Sequence, residues 1–186
     1  IASQKAPHAL TPPEGGTRSF TFDLEVQPIL DRACIACHNG EGKAFDLRGG
    51  KKDGRGYGTS YLNLHPYVHR QGGEGDMVVL YPYEYHPNTS ELVRLLKKGH
   101  YNVQLTDAEW RKIYNWIDYN APDKGYFNAN VLKSFPYQGY DQIERRKQLT
   151  DKYAGGAGVD WKKEIADYAA QLKNKGEIKP VMPKKV

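Results

Sequence analysis

The chain has 186 residues, enough for one compact domain of about 100–150 residues plus extensions. It is polar, with 39% hydrophobic residues and a mean hydropathy of −0.76, and no run approaches the ~20 apolar residues that cross a bilayer. The formal charge of +5 comes from 27 basic and 22 acidic residues interspersed along the chain, so neither a uniformly basic face nor a nucleic-acid-binding motif is present.

Residues 1–19 contain Pro7, Pro12, Pro13, Gly15 and Gly16 and show no periodicity, which predicts an extended arm or linker. The chain opens at Ile1 with neither Met nor a signal-type apolar segment, as expected of a mature or trimmed form or of a piece of a larger protein.

From Phe20 the pattern changes. Val26, Ile29, Leu30 and Ala33 recur at i, i+3, i+4 and i+7, predicting a helix over about 23–33 that runs into the two cysteines. Pro28 has no N–H to donate and must sit in a first turn or kink that helix. Seven glycines between Gly40 and Gly58 predict a long loop. Residues 61–86, rich in Tyr, Pro and His, read as irregular with one short helical turn.

Two punctuated helices follow. Asn88 with Glu91 three residues on makes a capping-box start; Leu92, Leu95 and Leu96 form the apolar face, and Lys97, Lys98 and Gly99 form the end. The next begins at Thr106 with Glu109 in the same relation, Leu105 and Trp110 as a hydrophobic staple, and Trp110, Ile113, Tyr114 and Ile117 on one face; it stops before Pro122. Beyond Gly125, Trp161, Ile165, Tyr168 and Leu172 predict one amphipathic helix that packs on the domain or on a partner. The tail lysines Lys173, Lys175, Lys179, Lys184 and Lys185 are either a solvated end or a patch that steers an acidic redox partner.

The chemistry concentrates at Cys34-Ile35-Ala36-Cys37-His38, a C-x-x-C-H sequence that matches the attachment site of c-type haem. Two thiols three positions apart can each form a thioether to one vinyl group of a haem edge, and the next residue presents imidazole to the iron. Three other readings use the same residues. A thioredoxin-like pair wants a strand–helix unit, which the sequence lacks here. A zinc site wants a fourth ligand. A disulfide leaves His38 without a role.

With His38 proximal, the second axial position falls to His65, His69, His86, His100 or Met77, and more remotely to His8 or Met182. The Gly99–Leu105 loop between the two capped helices favours His100, with His86 as the alternative. The many tyrosines, Tyr101 included, either hydrogen-bond haem carboxylates or simply pack.

Phe20 to Gly125 resembles the C-terminal cytochrome domain of the hydrazine synthase alpha subunit and related proteins of anaerobic ammonium-oxidising planctomycetes. The likeness is carried by residues 19–23 and 26–30, Cys34–His38, Ser60–Tyr67, His86–Val93, Lys98–His100 and Trp116–Pro122. It implies a bis-His haem that relays electrons within or to a multihaem complex, in a periplasm-like compartment, the anammoxosome lumen. Nothing in the chain resembles the propeller of that family. Position 42 is Gly where the family's catalytic haem has a tyrosine ligand, so hydrazine-forming activity is not implied.

The expected fold is therefore mostly α: a cytochrome c-like single-haem domain at 20–125 with long irregular loops, preceded by the arm at 1–19 and followed by a C-terminal helical extension at 126–186. The expected function is one-electron transfer through one covalent haem c held by Cys34, Cys37, His38 and His100, serving a redox protein or other subunits of a complex. The rival is a five-coordinate haem enzyme or gas sensor, and a third possibility is a structural subunit stapled by its haem.

Overall fold

The computed structural model describes residues 20–68, 81–124, 148–149, 151–153 and 161–182. The expected arm at 1–19 lies outside them, as do His8, His69, Met77, Lys184 and Lys185. The described residues are mostly helical, with no strand and one isolated antiparallel bridge between Lys52 and Gly58.

The segment leading to the cysteines is two helices rather than one: α1 (Phe22–Glu25) and α2 (Gln27–Ala33), joined at Val26. Pro28 occupies the first turn of α2, where its missing N–H costs no helical hydrogen bond; a continuous helix would have left the carbonyl four residues earlier without its donor. The apolar face survives the break, because Val26, Ile29, Leu30 and Ala33 are all buried.

The glycine loop ends at Gly58, as its glycines imply, and the short helical turn expected in the stretch after it is longer and earlier: α3 (Thr59–Leu64) followed by a 3-10 turn, His65–Tyr67. Tertiary hydrogen bonds hold α3 where periodicity gives no sign of it. The Ser60 hydroxyl donates to Gln27 Oε1 at 2.6 Å, and the Tyr61 hydroxyl donates to the Ala121 carbonyl at 2.9 Å.

The next helix begins at Glu91, not beside Asn88: α4 spans Glu91–Lys98 with Ser90 at its N-cap, and Asn88 sits in a 3-10 turn, Pro87–Thr89. The His86 imidazole accepts the Asn88 N–H at Nδ1, and the Thr89 hydroxyl donates to the His86 carbonyl at 2.6 Å, so a separate turn is satisfied before α4 starts. Gly99 closes α4 at φ 101, a left-handed cap that a residue with a Cβ adopts only with strain.

Helix α5 (Asp107–Asp118) has the expected capping box. The Glu109 N–H donates to Thr106 Oγ1 at 3.3 Å, and the Thr106 N–H donates to Glu109 Oε2 at 2.8 Å. Its buried face also includes Trp116, whose indole N–H donates to the Pro122 carbonyl at 3.0 Å. Phe22, Tyr61 and Trp116 pack with Phe22 at the centre, 5.4 Å from the Tyr61 ring and 5.3 Å from the Trp116 ring, which ties α1, α3 and α5 into one core.

In the extension, α6 (Trp161–Lys173) packs against α1, and the residues after it reach α2. The Tyr168 hydroxyl donates to Asp23 at 2.9 Å, Lys175 pairs with Asp31 at 2.9 Å, and the Val181 N–H donates to the Arg32 carbonyl at 2.7 Å. The segment thus packs on the domain, one of the two places its amphipathic pattern allows. No helix among the described residues is long and apolar enough to cross a membrane.

Candidate functional site

Helix α2 ends at Ala33, but its hydrogen bonding carries on through the motif. The Cys34 N–H donates to the Leu30 carbonyl at 2.8 Å, and the His38 N–H closes one further turn onto the Cys34 carbonyl at 2.9 Å. One turn of that kind brings side chains four apart to the same side, and Cys34, Cys37 and His38 all line a single cavity of about 240 Å3. The cysteines are not bonded to each other.

The glycine loop returns to fix the histidine. The Leu47 N–H donates to the His38 carbonyl at 2.9 Å, and His38 Nδ1 lies 3.1 Å from the Phe45 carbonyl. A carbonyl only accepts, so this bond puts the proton on Nδ1 and leaves Nε2 as the free basic nitrogen. The Phe45 ring sits 4.7 Å from the His38 ring and stacks on Tyr67 at 5.2 Å, which braces the imidazole from behind.

His100 faces it. The two imidazole centroids are 6.1 Å apart across the cavity. Burial lowers the pKa of His100, and the nearby His38 lowers it further, so His100 favours the neutral form able to donate a lone pair. The rest of the lining is almost wholly apolar and comes from α2, α3, α4, α5 and the segments between them; Leu95 and Tyr101 stand at its lip, 40% and 75% exposed.

The other candidate ligands are elsewhere. His65 packs its ring 5.4 Å from Tyr61, His86 caps the 3-10 turn, and Met182 is 66% exposed; none of the three lines the cavity.

Burial pushes the Cys34 thiol up to about 12. Among the described residues no three His, Cys, Asp or Glu side chains form a metal-binding group.

Sequence reasoning missed Phe45, Tyr67 and Arg32. Phe45 acts through a backbone oxygen, which carries no side-chain signal, and Tyr67 lies in a stretch without periodicity. Arg32, two residues before Cys34, joins α2 to α5 by a two-point ion pair with Glu109.

Compared with known proteins, the chain matches no family model, no curated protein and no solved structure.

Proposed function

We propose that the chain is a c-type cytochrome that transfers single electrons through one covalently bound haem, with Cys34 and Cys37 as thioether anchors and His38 and His100 as axial ligands. The observation that carries this reading is the pair of facing imidazoles in an apolar cavity with both thiols in its wall. With centroids 6.1 Å apart on the wall of one cavity, the two imidazoles could both give a nitrogen lone pair to a single metal held between them. Two imidazoles also suit a metal whose remaining positions are filled by a macrocycle.

When bound, the haem supplies a reversible one-electron couple. The chain's own contribution is orientation and environment. The Phe45 carbonyl fixes the His38 tautomer and raises its basicity. The apolar lining excludes water, and bis-His ligation sets the potential below that of a His/Met site. Leu95 and Tyr101 border the opening through which an electron partner approaches.

The likeness to the hydrazine synthase cytochrome domain extends the proposal to a multihaem nitrogen-metabolism complex as partner and to the anammoxosome lumen or another periplasm-like compartment as location. Catalysis by this chain alone forms no part of the reading.

The test is covalency. Protein matured with a haem-attachment system retains its haem through acid–organic extraction, and changing Cys34 and Cys37 to Ala abolishes that retention. Haem lost from the unaltered chain on extraction overturns the assignment.

A further inference from the structure

The loop that carries His100 is bent where residues with a Cβ resist bending. Tyr101 and Asn102, directly after the histidine, have φ of 46 and 57. Left-handed backbone at two consecutive non-glycine residues is costly and persists where the surroundings enforce it. Within the loop the Val103 N–H donates to the His100 carbonyl at 3.0 Å and the Gln104 amide donates to Asn102 at 3.2 Å. These are short-range bonds that move with the loop and do not anchor it.

The anchor comes from the other wall of the cavity. Arg32, on the last turn of the helix that delivers Cys34, sends Nη2 to the Gln104 carbonyl at 3.1 Å. The same guanidinium grips both oxygens of Glu109, Nε to Oε1 and Nη2 to Oε2, each at 2.6 Å. Glu109 in turn holds the Thr106 N–H and hydroxyl, which fixes the point where the loop enters α5. One side chain therefore binds the loop at its exit and joins it to the segment bearing the thiols. The pair is partly shielded, at 30% and 16% side-chain exposure, and a two-point guanidinium–carboxylate contact fixes angle as well as distance.

We propose that Arg32 is a positioning residue that holds the His100 loop against the cavity, so that the distal imidazole stays within reach of the metal. The proposal rests on the bis-His reading above. The Arg32 contacts hold this strained loop in the arrangement it adopts here.

The test uses the full haem-loaded chain, with wild type, R32Q, E109Q, R32K and K175M compared by absorption spectra and carbon monoxide binding to the reduced form. K175M breaks the Lys175–Asp31 pair, whose carboxylate neighbours Arg32 on α2 at similar exposure but binds no residue of the loop. Charged hydrogen bonds of this kind are strong enough that R32Q should bind carbon monoxide about tenfold more readily than wild type and gain a high-spin band. E109Q should move in the same direction, R32K should restore part of the low-spin state, and K175M should lower stability with the spectrum unchanged. R32Q and E109Q spectra identical to a low-spin wild type overturn the role of Arg32 and leave the bis-His reading standing, as does K175M opening the site equally. A wild type that is itself high-spin and binds carbon monoxide overturns both.

Discussion

His38 Nδ1 and the Phe45 carbonyl lie 3.1 Å apart, and this one bond decides which nitrogen of the His38 imidazole is left free of a protein partner. The Phe45 ring, packed between His38 and Tyr67, holds that carbonyl in place.

Changing Phe45 to Ala should therefore loosen the bond without deleting it. Stability should fall by about 2 kcal/mol, below the 3–5 typical of a fully buried Phe, because the ring is only half-buried. A weaker acceptor makes His38 a poorer donor to an oxidised metal, so the midpoint potential should rise. Urea unfolding and a redox titration read the two effects separately; a lower potential would contradict the bracing of His38 by Phe45.

Gln27 is the buried junction of α2, α3 and the glycine loop. It donates to the Leu47 carbonyl at 2.9 Å and to Asp31 at 2.7 Å, and accepts from Ser60 at 2.6 Å. Replacing it with Leu strands the Ser60 hydroxyl and the Leu47 carbonyl, at a cost of about 2–4 kcal/mol. The denaturation midpoint should fall at constant slope, and adding Ser60→Ala should recover part of the loss by removing one stranded group.

Removing the Thr106 hydroxyl should cost about 1 kcal/mol, because α5 loses one side-chain acceptor at its N-cap. Thr106→Ser should be close to neutral in the same unfolding experiment. Equal losses in both variants would place the effect in the threonine methyl group instead of the cap.

Acid should weaken the fold through two carboxylates. The Arg48 guanidinium bonded to Asp46 holds its carboxyl down to about 2. Burial pushes Glu109 up, but Arg32 and Thr106 outweigh it and keep that carboxyl below its ordinary value. A carboxylate depressed in the folded state contributes its stability above its unfolded pKa and loses it as pH falls through the folded one. The stability advantage of wild type over Asp46→Asn should thus be complete above about pH 5 and shrink progressively toward pH 2. An advantage that is flat with pH would show that the Asp46–Arg48 pair does not couple to folding.

Much of this arrangement was legible in the sequence because it depends on local chemistry. The Thr106–Glu109 capping box, the left-handed Gly99 and the Val26–Ala33 face are set by residues within one or two turns of each other, and their spacing reports them. The C-x-x-C-H motif points to its chemistry for the same reason. What sequence reading missed depends on contacts distant along the chain. Helix α3 is held by Ser60 on Gln27 and Tyr61 on Ala121, 33 and 60 residues away, and has no periodic signature. The start of α4 shifted because His86 and Thr89 satisfy a separate turn, which competes with Asn88 as a cap. Arg32 reads as an ordinary polar residue on a helix until the fold brings Glu109 and Gln104 to it.

If His38 and His100 ligate one haem iron, absorption spectra of the oxidised and reduced protein, with and without carbon monoxide, will show a low-spin form that the gas does not move. His100→Ala should convert it to a high-spin form that binds carbon monoxide. A wild-type spectrum that is high-spin and shifts with carbon monoxide would contradict that ligation and make a five-coordinate catalytic or sensing haem the better reading.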